Sequence, residues 1–160
     1  MIRVFTIQRC RVIRIGDKAA LKHKFTQNDV KTFSQLCGDH NPIHLQREAA
    51  VTAGFPNCLC HGALVGSLFS TIMGTDLPGP ASVYLYQTFQ FVAPVFVGDE
   101  VEATVIVKEF MKSKGLIRLN TTVSKRGPEG DVLCISGEAV GMNKTVTFDG
   151  ESAWTFVRSK

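Results

Sequence analysis

His61-Gly62-Ala63-Leu64-Val65-Gly66-Ser67-Leu68-Phe69-Ser70-Thr71-Ile72-Met73 is apolar on nearly every side, and that decides how the rest of the chain must be arranged. A helix without a polar face has to be buried over most of its surface. Gly74 and then Pro78-Gly79-Pro80 close it. From Ser82 to Met142 the composition shifts to Val, Tyr, Phe and Thr, with turn residues at Pro94, Gly98-Asp99, Lys114-Gly115 and Gly127-Pro128-Glu129-Gly130. The pattern predicts strands over 82–92, 100–110, 116–125 and 131–142 in an antiparallel meander, with one more before residue 26. The expected fold is α+β, a curved antiparallel sheet of about five strands wrapped around the long central helix. Such a sheet keeps exposed edges and an incompletely covered face, so a homodimer is expected.

Upstream of that helix, Phe25-Thr26-Gln27-Asn28-Asp29-Val30 reads as a helix start, with Thr26 as N-cap and Asp29 three residues on. Val30, Phe33 and Cys37 are spaced for its apolar face, and Gly38 ends it. A short second helix is expected over Gln46–Ala53, stopped by Gly54, before Phe55-Pro56-Asn57 turns the chain. There is no internal repeat, low-complexity run or linker, so residues 15–143 read as one domain and 144–160 as a tail to which no structure is assigned.

Among the 160 residues, 18 Lys+Arg stand against 14 Asp+Glu, and the net +4 is scattered rather than gathered into a stripe. Charge therefore does not indicate nucleic-acid binding. No stretch approaches the roughly 18 consecutive apolar residues of a membrane span. The 5 cysteines form an odd set without a disulfide framework, which fits thiols in a reducing compartment. Residues 1–14 carry Arg3, Arg9, Arg11 and Arg14, and no acidic residue precedes Asp17. This segment reads either as a mitochondrial targeting segment or as a first strand with outward-facing arginines.

Gly38-Asp39-His40-Asn41-Pro42-Ile43-His44 follows the first helix and sets a carboxylate and an imidazole five residues apart around a rigid turn. Pro42 fixes its own φ and drives Asn41 towards an extended backbone, so the helix cannot continue. Asp39 and His44 can thereby face one space, with Asn41 bonding backbone groups inside the turn. A carboxylate and an imidazole around one small reactant are the parts of a general acid–base pair. The same residues also make an ordinary turn, and the heptad alone leaves both readings open.

A second constellation, Cys60-His61-Gly62, begins the apolar helix, where unpaired backbone N–H groups and the positive end of the helix dipole converge. The Gly62 N–H is placed to bind a developing oxyanion there, although a tight helix start uses the same residues. Ser70 either adds a hydroxyl to that space or bonds a carbonyl of its own helix. Cys58, Cys60 and His61 are too few for a tetrahedral zinc site, so no metal is expected. Tyr84, Tyr86, Phe89 and Phe91 read as sheet packing, and His23 and His40 as surface residues.

The heptad Gly38 to His44 joined to Cys60-His61-Gly62, then Leu77-Pro78-Gly79-Pro80 and Gln87 to Val101, resembles the MaoC-like (R)-specific enoyl-thioester hydratases and 3-hydroxyacyl-thioester dehydratases of the hot-dog fold. The likeness runs from about Ile15 to Met142, and among animal proteins it is nearest to the family's mitochondrial dehydratases. The resemblance implies that Asp39 and His44 are the catalytic pair, that the Gly62 N–H polarises a thioester carbonyl, and that Ser70 lines the site, with Asn41 beside them. It implies reversible dehydration of (R)-3-hydroxyacyl thioesters, on acyl carrier protein or coenzyme A, to trans-2-enoyl thioesters without a cofactor. A mitochondrial matrix location would agree with the arginine-rich start. A hot-dog acyl-thioesterase and a non-catalytic acyl-thioester binder are the alternatives, and the Asp-x-Asn-Pro-Ile-His pattern favours the hydratase branch. Cys60 and Pro56 depart from the small apolar residue and the glycine usual in the family, and Asn143 to Lys160 has no recognised counterpart.

Overall fold

The computed structural model of the chain describes residues 11–152 and 154. The targeting reading of residues 1–14 therefore falls mostly outside the described residues. Within them the chain opens with two strands, β1 (Val12–Ile13) and β2 (Lys18–Lys24). The helices α1 (Gln27–Cys37), α2 (Pro42–Leu45), α3 (Arg47–Thr52), α4 (Gly62–Gly66) and α5 (Leu68–Thr75) follow. Then come β3 (Val83–Gln87), β4 (Gln90–Phe91), β5 (Glu100–Met111), β6 (Leu116–Gly127), β7 (Gly130–Met142) and β8 (Thr147–Phe148).

The start of α1 is decided locally. Thr26 Oγ1 accepts from the Asp29 N–H at 3.2 Å while Asp29 Oδ2 accepts from the Thr26 N–H at 2.8 Å, so two orphan donors are satisfied reciprocally. The hydrogen bonds from Thr26 hold the Asp29 carboxyl below its ordinary value of 3.8. A depressed carboxyl contributes stability above that ordinary value and loses it as pH falls through the lowered one. Thr26→Ala is expected to cost about 1 kcal/mol at neutral pH. Thermal unfolding should show the gap between variant and parent narrowing in acid.

Within α1 the buried positions are Val30 and Ser34, while Phe33 is half-buried and Cys37 is exposed. The apolar face expected from Val30, Phe33 and Cys37 is corrected accordingly. Ser34 tolerates burial because its hydroxyl bonds the Asp39 carbonyl and lies 2.7 Å from His40 Nδ1. His40 is thus a bonded residue although exposed.

The central helix is not one rod. It is divided at Ser67, whose hydroxyl donates to the Leu64 carbonyl at 2.6 Å, a back-bond that perturbs a helix. Phe69, Ile72, Met73 and Val65 along it are 0–2% exposed. Each such side chain contributes roughly 1.5–3 kcal/mol relative to remaining in water. They pack against the inward residues Val101, Ala103, Val105, Ile117, Leu119 and Val123 of β5 and β6. Along β6 the alternation is regular: Ile117, Leu119, Thr121 and Val123 are buried, and Arg118 and Asn120 face outward.

Strand order is β2-β5-β6-β7-β3, with β4 pairing β7 as well. The predicted meander holds for β5, β6 and β7. The predicted 82–92 strand, however, divides into β3 and β4, and both pieces pair with β7 instead of β5. Between the two pieces Thr88 lies over Gly137 of β7: a Cβ on Gly137 would stand 1.9 Å from the Thr88 carbonyl oxygen. The tail beyond residue 143 contributes β8, which pairs parallel with β1, and Phe148 stacks on Phe110 at 4.8 Å. Ile13 of β1 is fully buried.

Candidate active site

Gly38 ends α1 in a left-handed conformation, φ 81°, and releases the chain into the heptad. Ser34 Oγ donates to the Asp39 carbonyl at 2.6 Å, and the Asn41 N–H donates to Asp39 Oδ1 at 3.1 Å. One carboxylate oxygen thus closes the turn, and the other, Oδ2, faces two imidazoles. Asn41, extended as a residue before proline should be, caps α2 by accepting the Ile43 N–H at 3.3 Å. Pro42 occupies the first helical position, where its missing N–H costs nothing. This short helix, absent from the sequence-based expectation, carries His44.

His44 Nδ1 lies 2.8 Å from the Leu59 carbonyl. A carbonyl only accepts, so Nδ1 bears a hydrogen and Nε2 is the atom turned towards Asp39. Leu59 in turn donates its N–H to the Ile43 carbonyl at 3.1 Å, which braces α2 against the segment leading into α4. His44 Nε2 and Asp39 Oδ2 are 3.8 Å apart, with the His44 side chain 11% and the Asp39 side chain 53% exposed.

Gly62 stands at the first position of α4, where backbone N–H groups have no intrahelical partner. A Cβ there would come 2.5 Å from the Phe91 ring, so a side chain at this position would have to displace that ring. His44 and Gly62 both line a cavity of about 560 Å³ whose other walls include Phe55, Leu59, Ala63, Phe91, Val95 and Ile135. Its lining is apolar apart from the end at His44. Ser70 is exposed on α5, and neither it nor Asn41, which acts as a turn and cap residue, lines this cavity.

Two residues at this site were not singled out for it by the sequence. Phe91, read as sheet packing, lines the cavity and stacks with Phe89 at 5.8 Å. His61, read as part of a helix start, is buried with its Nε2 3.8 Å from Asp39 Oδ2 and its ring stacked on His44. Only its adjacency to Gly62 marked it in the sequence.

Ligand atoms of Asp39, His44 and His61 lie within 4.8 Å of one another. His61 Nε2, however, faces the Asp39 carbonyl at 3.1 Å and bears a hydrogen there, so it presents no lone pair to that cluster. Two donors then remain, fewer than the three protein ligands of catalytic zinc sites. Cys60 nearby is a poor thiolate ligand, its thiol pushed up to about 12 by burial.

A helix wrapped by a long antiparallel sheet is the hot-dog arrangement, and here an imidazole lines an apolar cavity with a carboxylate 3.8 Å from it. The sequence pattern of the family described as MaoC like domain matches residues 14–126, and the chain belongs to that family. It is 41% identical over 128 residues to the (R)-specific enoyl-CoA hydratase of Aeromonas caviae, covering 80% of this chain and 93% of that relative. A solved structure, the (R)-hydratase from A. caviae involved in PHA biosynthesis, aligns with a TM-score of 0.77 at 40% identity, covering 81% of this chain and 96% of the other. The mitochondrial 3-hydroxyacyl-acyl-carrier-protein dehydratase of Solanum lycopersicum is 39% identical over 134 residues, covering 82% of this chain and 78% of that relative.

Proposed function

We propose that this protein is a hydro-lyase that reversibly removes water from (R)-3-hydroxyacyl thioesters to give trans-2-enoyl thioesters. The observation that carries the reading is the 3.8 Å gap between Asp39 Oδ2 and His44 Nε2 at the polar end of an apolar cavity. That gap is too long for a direct hydrogen bond and suits an oxygen atom bonded to both groups. In dehydration the 3-hydroxyl occupies this place. One of the pair takes the Cα proton, and the other protonates the departing hydroxyl so that it leaves as water. The electrons of the Cα–H bond pass through an enolate-like thioester oxygen, for which the Gly62 N–H is the donor, and then form the double bond. Hydration reverses each transfer. The apolar cavity takes the acyl chain.

The reading accommodates both carriers named for the relatives, coenzyme A and acyl carrier protein. The net charge of +4 favours either, since both bring phosphate. A mitochondrial location is supported by the acid-free, arginine-bearing start and by the designation of the tomato relative. The test is hydration of crotonyl thioester by purified protein, followed as loss of enoyl-thioester absorbance with each carrier. Turnover is expected, and its absence with both carriers would overturn the proposal.

A homodimer completes this reading. The two edges of the main sheet are β2, which carries Lys18, Lys22 and Lys24, and β3, Val83-Tyr84-Leu85-Tyr86-Gln87. Edge lysines discourage pairing, and β3 has none. Instead Val83, Leu85 and Tyr86 are about half exposed, as are Phe91 and Val92 beside them. A second copy joined edge to edge along β3 would cover them. Light scattering is expected to give twice the 17.5 kDa chain mass, and Leu85→Lys to shift it towards the monomer.

A further inference from the structure

His61 is 4% exposed, and each of its contacts belongs to the acid–base pair or holds the ring in place. Its Nε2–H donates to the Asp39 carbonyl at 3.1 Å, and the same nitrogen is 3.8 Å from Asp39 Oδ2. Its ring stacks on His44, with centroids 3.8 Å apart and planes 28° from parallel, and Phe33 packs against it at 5.2 Å. Its Nδ1 is buried and has no hydrogen-bond partner among the described residues. A buried polar atom without a partner carries a cost, which a ring kept only for packing would not incur. An apolar ring would fill the same space.

We propose that His61 is the positioning residue of the acid–base pair. Its Nε2–H anchors the main chain of Asp39, and its ring face fixes the plane of His44, so that Oδ2 and Nε2 keep the separation that admits one oxygen between them. The Asp39 side chain is half exposed and lies outside a regular element, so its carbonyl is held jointly, by the Ser34 hydroxyl from α1 and by the His61 ring. His44 needs a second constraint because its Nδ1 hydrogen bond leaves the ring able to rotate about that axis. The groups that orient metal ligands, which likewise act through a neighbouring residue, are typically worth about 10–100-fold, and an effect of that order is expected here. The proposal rests on the hydro-lyase reading of the site.

The test compares wild type with His61→Phe, which keeps the stacked ring and removes the donor, and His61→Gln, whose amide nitrogen reaches the same place as Nε2. With crotonyl-coenzyme A, His61→Phe is expected to lower kcat about 10–50-fold with KM changed less than about threefold, the split for a loss confined to the transition state. His61→Gln is expected to recover most of that loss. Thermal unfolding identifies any variant that does not fold. Long-range proton–nitrogen NMR of the unmodified protein is expected to find the His61 hydrogen on Nε2, a readout that needs neither variant nor turnover. Unchanged kcat in folded His61→Phe overturns the proposal, as does an equal loss in folded His61→Gln, or the hydrogen on Nδ1 alone. Absence of turnover by wild type would instead sink the hydro-lyase reading, and this role with it.

Discussion

Asp39→Asn and His44→Ala are each expected to lower kcat/KM for crotonyl thioester at least about a hundredfold, the usual cost of removing a positioned acid or base. Asp39→Asn is the cleaner of the two. The side-chain oxygen that closes the turn onto the Asn41 N–H is retained, and only the oxygen facing His44 becomes an amide nitrogen. A loss of activity with unchanged unfolding temperature therefore belongs to the chemistry. His44→Ala also removes the ring stacked on His61 and the bond to the Leu59 carbonyl, so its stability has to be measured beside its rate. If the two residues act on one shared oxygen, the double variant should cost little more than either single one, since the members of such a unit are strongly non-additive. Wild-type turnover in both single variants would sink the acid–base assignment.

Gly137→Ala is expected to destabilise the protein by about 3 kcal/mol or more, at the upper end for overpacking. The added Cβ would stand 1.9 Å from the Thr88 carbonyl oxygen and 2.9 Å from its carbon. Thr88 cannot retreat easily. Its N–H donates to the Glu138 carbonyl at 2.9 Å, and its hydroxyl accepts the Glu138 N–H at 2.9 Å, so it is tied to β7 beside the substitution. For a chain of this size the unfolding midpoint should fall by roughly 10 °C in a melt followed by circular dichroism. Gly141→Ala on the same strand is the control. There the one close neighbour of the Cβ would be the terminal methyl of Met73 at 2.9 Å, a flexible end that can swing aside, with the Val83 carbonyl oxygen at an ordinary 3.7 Å, and the midpoint should move little. Equal stability of the two variants would contradict the close crossing of Thr88 over β7. Activity should fall with stability in Gly137→Ala, because the same crossing delivers Phe91, stacked on Phe89, to the cavity wall.

Much of the fold was legible in the chain because it depends on neighbours in sequence. The capping box at Thr26 and Asp29, the left-handed stop at Gly38, and the two-residue alternation of β6 all follow from groups within a few residues of one another. The central helix was recognised by its apolar surface, but its division at Ser67 was not, since a serine hydroxyl can face solvent or its own backbone with the same sequence. The pairing of β3 with β7 was missed for a different reason. Consecutive strands in a meander pair by proximity, whereas this contact closes a loop of more than fifty residues and is selected by how the helix layer covers the sheet.

The site divides along the same line. Asp39, Asn41, Pro42 and His44 announce a rigid turn by themselves, because proline and its preceding residue leave the backbone few choices and the two titratable groups are close in sequence. Sequence alone determined that a carboxylate and an imidazole flank that turn and that a helix too apolar for solvent follows it. Only the tertiary structure decided that His44 presents Nε2, because the Leu59 carbonyl that takes its Nδ1 hydrogen lies fifteen residues away. Only the tertiary structure brought in His61 from the far side of the turn and Phe91 from the sheet, and placed Ser70 outside the cavity. Turn geometry is set by local backbone sterics, whereas the facing of side chains across elements is set by packing, which no local pattern encodes.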